Sequence, residues 1–290
     1  MAKPKLAMQT DRGRFYRNRN HTDRKFISVT TALKVLDKPA LVGWAARTVA
    51  EEFMAALPAA VRASRSKPAR EAFIKDIKGS PYAKRDKAAN RGTEVHEAAE
   101  AHILGKPHKV AEEIEPFVDQ LLDAIETLGI TFEASEATVA NPDVGYAGTG
   151  DIWGHLSKHG DDGLLWLLDI KTGDDSKPVD AAYPEYAYQL SALAHCPELW
   201  LPDHTIIEAP KVDRTAVLNL RPSGWALVPV PEPVMEPAFD LFSLCVRIAG
   251  LQDELKDGLF EPCVQHTDDS PFVTQPEVEV AAPVLVAVEA

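Results

Sequence analysis

Cysteine is scarce. Cys196, Cys245 and Cys263 stand far apart in 290 residues, with no CxxC pair among them. That spacing argues against a thiolate-built zinc or iron–sulfur site and fits a reducing compartment, so a cytoplasmic location is expected. Long apolar runs are missing too. None approaches the roughly 20 residues needed to cross a bilayer, and the first 16 residues are basic without an apolar centre, so neither a membrane association nor a signal peptide is expected. Internal repeats are absent. Residues 261–290 hold no Lys or Arg and are rich in Pro, Val and acid without a clear period. A disordered acidic tail is expected there.

What remains is a chain that is 45% hydrophobic and 26% charged, enough for one large globular domain with extensions. Its net charge of −13 is unevenly spread. Residues 1–90 carry 20 Lys and Arg against 8 Asp and Glu; residues 91–290 carry 11 against 36. A basic surface beside an acidic, cation-collecting region is the arrangement this division suggests. Residues 1–25 read as a basic, flexible N-terminus.

The most informative stretch is Gly145–Gly173, GYAGTGDIWGHLSKHGDDGLLWLLDIKTG. Two apolar runs flank a polar, glycine-bearing segment, which is the pattern of an antiparallel hairpin. The run Leu164–Leu168 is apolar on both faces and reads as a strand buried on both sides. It ends in Asp169-Ile170-Lys171. Strand periodicity sends Asp169 and Lys171 to one face and Ile170 to the other. Asp151 lies in the preceding run beside Gly148, Thr149 and Gly150, small residues expected to leave room for a ligand. Two acids and a lysine at the end of a buried hairpin are the parts of a divalent-metal phosphodiesterase site, because buried charges need partners or a metal.

Around this hairpin the spacing predicts helices. Ser28 or Thr30 caps a short one, and Pro39 opens a second that carries Trp44, Val49 and Phe53 as a stripe and ends at Pro58. A short helix over Lys67–Lys78 follows. Ser80-Pro81 then opens a separate long one that stops at Gly105. On that helix His96 and Glu100 share a face. Further helices are predicted over Glu113–Leu128, after Tyr183, and over Met235–Leu259. Strands are predicted over Ile130–Val139, His204–Ala209, Ala216–Leu220 and Trp225–Val230.

The segments RGTEVH (Arg91–His96), GTGDI (Gly148–Ile152), LLDIKTG (Leu167–Gly173) and YQL (Tyr188–Leu190), in that order, resemble the RecB-like branch of the PD-(D/E)xK nuclease superfamily. The likeness is to its small phage and CRISPR-associated exonucleases, and SVTTALKVLDKPALVGWAA resembles the N-terminal helical region of phage members. The resemblance implies an α/β fold with a restriction-endonuclease-like core, a central mixed sheet flanked by helices, over residues 26–260. Residues 26–89 would be its helical N-terminal subregion. It implies that His96, Asp151, Asp169 and the backbone carbonyl of Ile170 bind Mg²⁺ or Mn²⁺, with Glu100 as an extra ligand or support. Lys171 would position and activate the attacking water, and Gln189 would contact substrate or the lysine. Arg12, Arg14, Arg17, Arg19, Arg91 and Tyr188 are the residues expected to meet DNA.

In this chain Asp169 stands where relatives more often have Glu, Gly150 where they have Pro, and Leu193 where many have Tyr. The four cysteines of iron–sulfur relatives are absent, so no cluster is expected. The expected function is metal-dependent DNA cleavage, of exonuclease type, in phage or bacterial recombination, repair or replication. A helicase or recombinase is the expected protein partner. The alternative is a catalytically silent DNA-binding protein on the same scaffold.

Overall fold

A computed structural model of the chain describes residues 6–256 and Leu259, apart from Asp23, His159, Asp161 and Asp162. Two units divide it, residues 1–251 and 252–290, and the fold below is that of the first. The tail expected over 261–290 lies outside the described residues.

The described residues begin with a hairpin, β1 (Ala7–Thr10) and β2 (Gly13–Tyr16), followed by the short strand β3 (Phe26–Ser28). The paired strands over residues 7–16 stand where the sequence suggested part of a flexible arm over residues 1–25. Leu6, Tyr16 and Phe26 are buried, and Tyr16 pairs with Phe26 across β2 and β3. The apolar anchors are few and the strands short, so charged residues dominate any sequence window through them.

Ser28 caps α1 (Val29–Ala32), its hydroxyl accepting the Thr31 N–H at 3.1 Å. A 3₁₀ turn over Leu33–Val35 leads to α2 (Pro39–Ala55) and α3 (Leu57–Ala63). Next comes α4 (Lys67–Ile103), one unbroken helix where two were expected to meet at Ser80-Pro81. Pro81 has no N–H for the Ile77 carbonyl, which would normally break the helix. Ser80 Oγ donates to that carbonyl at 2.8 Å instead, so no acceptor is stranded.

Helix α5 (Glu115–Leu128) ends at the left-handed Gly129, with φ of 63°. The rest is β4 (Ile130–Asn141), β5 (Tyr146–Leu156), β6 (Trp166–Thr172), α6 (Pro184–Ala194), β7 (Glu198–Trp200), β8 (Ile206–Glu208), β9 (Arg214–Arg221), β10 (Gly224–Pro229) and α7 (Glu232–Leu255). Of these, the three-residue β7 had no signal in the sequence.

The architecture is mixed α/β: a central, mostly antiparallel ten-stranded sheet with helices on its faces and a helical N-terminal region. Strand β6 is buried from Trp166 to Ile170, as expected for a strand covered on both sides. Leu168 and Ile170 pack with α5 residues such as Phe117 and Leu121 on one face. Leu167 packs with Val29, Leu190, Leu193 and Phe242 on the other.

Strand β5 organises the sheet. One edge pairs with β4 along nearly its whole length. The other edge is divided. It pairs in parallel with β3 at Tyr146 and Ala147, and antiparallel with β6 from Ile152 to Gly154. Between these two pairings the sheet forks, and among the described residues the edge of β5 from Gly148 to Asp151 has no strand neighbour.

Candidate metal centre

Asp151 lies in the fork. Its Oδ2 accepts the backbone N–H of Ile170 at 2.8 Å, so a carboxylate replaces the missing strand-to-strand bond. Helix α4 brings His96 over the same point. His96 Nε2 donates to the Ile170 carbonyl at 3.2 Å, which fixes the ring and turns Nδ1 toward two acids. Nδ1 stands 3.4 Å from Asp151 Oδ1 and 3.5 Å from Glu136 Oε1.

Glu136 was not foreseen. The register of β4 and β5 pairs Ser135 with Ile152 and Ala137 with Gly150, which sets Glu136 opposite Asp151. It has a φ of 51°, a left-handed conformation that is unfavourable for a residue with a Cβ and often kept at functional positions. The sequence did contain a signal. The four-residue turn Pro142–Gly145 pairs Asn141 with Tyr146, and counting back along both strands brings Glu136 to Asp151.

His96, Glu136 and Asp151 offer one ligand atom each, all within 4.8 Å of one another. Donors sharing a small divalent cation at about 2.1 Å stand roughly 3–4 Å apart, so this set fits one ion after small inward shifts. Burial lowers the basicity of His96, but the charges and hydrogen bonds of Asp151 and Glu136 overcome it and raise its pKa to about 10. Burial also pushes up both carboxyls. At Asp151 the facing His96, Lys171 and the Ile170 N–H reverse that and lower its pKa; at Glu136 burial prevails and its pKa is raised. The cluster is held together by a cation in the form of a proton on His96.

Asp169 and Lys171 lie beside it on the α6 face of β6. Lys171 Nζ is 2.6 Å from Asp169 Oδ2, and Gln189 on α6 donates from Nε2 to Asp169 Oδ1 at 2.7 Å. Gln189 Oε1 also accepts from Lys171 Nζ at 3.4 Å, so one amide holds both ends of the ion pair. The Tyr186 ring lies 5.0 Å from Nζ. Burial lowers the Lys171 pKa, and Asp169 and Asp151 more than restore it, so the ammonium stays charged. Burial raises the Asp169 carboxyl even against the pull of Lys171.

Of the sequence-predicted residues, the structure brings His96, Asp151, Asp169, Lys171 and Gln189 to one pocket of about 330 Å³. The Ile170 carbonyl, expected as a ligand, accepts from His96 instead. Asp169 faces Lys171 and Gln189, and the third donor of the cluster is Glu136. Glu100 lies outside the donor set, close enough for its charge to raise Glu136. Of the small residues expected to leave room for a ligand, Gly148 and Thr149 line the pocket, and Gly148 and Gly150 also admit close neighbours. A Cβ on Gly148 would stand 2.5 Å from Leu193, and one on Gly150 2.6 Å from the Trp153 ring nitrogen.

Arg14 lines the pocket, and its backbone is fixed by Thr31, whose Oγ1 accepts its N–H at 3.0 Å and donates to its carbonyl at 3.1 Å. Arg12, Arg17 and Arg19 are exposed nearby in the chain, on and after the same hairpin. Arg91 turns elsewhere, over the Phe117 ring at 5.0 Å, and Tyr188 packs against the core. Both residues, expected to meet DNA, are half-buried. No protein-family model matches the chain, and no curated protein matches it. Among the described residues, no helix is long and apolar enough to cross a membrane.

Proposed function

We propose that the protein is a divalent-metal-dependent deoxyribonuclease, of exonuclease type, acting in phage or bacterial DNA recombination, repair or replication. One observation carries the reading: a buried imidazole and two carboxylates gathered on one point, with a charged lysine held beside them by Asp169 and Gln189. His96, Glu136 and Asp151 would hold Mg²⁺ or Mn²⁺, since hard oxygen donors suit both and the imidazole favours manganese. Such an ion supplies Lewis acidity toward a phosphoryl oxygen and makes water a stronger nucleophile.

The chain's own groups do the rest. Lys171 places a fixed positive charge where a phosphodiester gains negative charge on the way to its transition state. Gln189 and Asp169 keep that ammonium in position. The pocket volume lies at the low end for small-ligand sites and admits a piece of one strand's backbone rather than a duplex. Arg14 at its edge, with Arg12, Arg17 and Arg19, would grip flanking phosphates. A helicase or recombinase would recruit the enzyme to its DNA. A silent scaffold is the weaker reading, because so many buried charges destabilise a fold that has no use for them.

The test uses purified protein with end-labelled single- and double-stranded DNA. Cleavage is expected with Mn²⁺ or Mg²⁺ and should vanish in EDTA. Robust cleavage in EDTA would overturn the reading, as would full activity in a Glu136→Gln, Asp151→Asn double variant.

A further inference from the structure

The helical N-terminal region carries a second concavity, away from the metal centre. Helix α2 fully buries only Thr48, and α3 buries no residue, although both are rich in apolar side chains. With the first half of α4 they enclose a groove of about 570 Å³, larger than the pocket of the metal centre. Phe53, Leu57, Val61, Phe73, Ile74 and Ile77 form its apolar wall. Four of them are more than two-fifths exposed: Phe53 41%, Leu57 43%, Val61 57% and Ile74 49%. A contiguous apolar surface of this kind on a folded chain marks a binding face.

The charged residues of the groove are of one sign. Arg70 and Lys78 line it, and no acid does. Nearby, Lys67 is paired with Glu71 at 3.9 Å and Lys84 with Glu52 at 3.0 Å, whereas Arg70 and Lys78 have no ion pair among the described residues. Residues 57–79 as a whole carry six Lys and Arg against two acids, Glu71 and Asp76. An apolar wall with free cations along it is complementary to an apolar stripe with carboxylates along its flanks.

We propose that the groove docks an acidic amphipathic helix of a partner protein. A trough between helices receives a helix through large apolar side chains at i, i+3 or i+4 and i+7, and the flanking acids would meet Arg70 and Lys78. A second copy of this chain fits less well, because the same face would bring like charges together. Single-stranded DNA also fits less well. The wall is largely aliphatic, and its two phenyl rings, Phe53 and Phe73, pack against each other edge to face at 6.1 Å rather than offering a platform for bases. The inference is independent of the nuclease reading.

The probe is a fluorescein-labelled peptide of about four helical turns, with Leu at the stripe positions and Glu on the flanks. Its binding to the full chain is followed by anisotropy. The peptide should bind, weaken with salt, and lose at least roughly tenfold in affinity when its Glu residues become Gln or its Leu residues become Ala. Val61→Glu and the Arg70→Glu, Lys78→Glu double variant should lose as much. The three positions altered in the chain, Val61, Arg70 and Lys78, are exposed, so circular dichroism and metal binding at His96 should be unchanged. No binding by the parent overturns the proposal, as does equal binding by the double variant or displacement of the peptide by an oligothymidylate. Sedimentation showing a parental dimer that Val61→Glu dissociates would assign the groove to a second copy and overturn it too.

Discussion

At the scale of single residues, Lys171 and His96 separate chemistry from metal binding. Lys171→Ala removes no member of the donor cluster, so calorimetry should still show metal uptake, while single-turnover cleavage should slow by on the order of 10²-fold, as when one electrostatic stabiliser is lost. Parental cleavage by that variant would remove the lysine from the mechanism. His96 gives a pH signature. Its folded pKa is raised to about 10, while the unfolded chain has the ordinary value near 6.5. The stability it contributes is therefore complete below about 6.5 and is lost as pH rises through about 10. The melting temperature of the metal-free protein should fall across that window, and His96→Gln should flatten the fall. Since a metal takes the place of that proton, binding near neutral pH should release close to one proton per ion, measurable by calorimetry in buffers of different ionisation enthalpy. Unchanged proton release in His96→Gln would contradict the assignment. The sequence showed His96, Asp151, Asp169 and Lys171 because motif spacing places them. It hid Glu136 because an acid in an otherwise ordinary strand stands out only once the hairpin register is fixed.

At the scale of elements, α4 shows how a local rule is overridden by one side chain. Proline in a helix interior costs about 3 kcal/mol, which made a break at Ser80-Pro81 the natural expectation. The Ser80 hydroxyl fills the acceptor that Pro81 leaves vacant. A double-mutant cycle tests this. Ser80→Ala alone should cost about 1 kcal/mol, and in a Pro81→Ala background it should cost almost nothing, because the restored N–H serves the Ile77 carbonyl. Equal costs in both backgrounds would leave the continuity of the helix without this cause. The helices α5 and α7 were legible from their periodicity and β6 from its continuous apolar run; β1, β2 and β7, of three or four residues each, are too short to show a period. Their places are set by partners distant in sequence, as Tyr16 is by Thr149 at 2.9 Å.

For the whole molecule, the folding of the N-terminal hairpin into the sheet changes what its arginines can do. Arg14 lies on the paired strand β2 and lines the pocket, Arg12 lies in the turn before it, and Arg17 and Arg19 follow it, exposed. Replacing Arg12, Arg14, Arg17 and Arg19 together by Ala should flatten the salt dependence of DNA binding by up to about 3.6 in slope, roughly 0.9 for each phosphate lost. An unchanged slope would route the DNA elsewhere. The fork in the sheet has a consequence for descent as well as for chemistry. Asp151 both faces His96 in the candidate donor cluster and fastens β5 to β6 through the Ile170 N–H. A lineage that loses the activity is therefore not free to drift at this position. Asparagine keeps an acceptor oxygen and gives up the charge, whereas alanine or valine would open the seam between the strands. If the chain is the nuclease proposed above, inactive descendants should thus carry asparagine at position 151, a fossil of the carboxylate kept by the demands of the backbone.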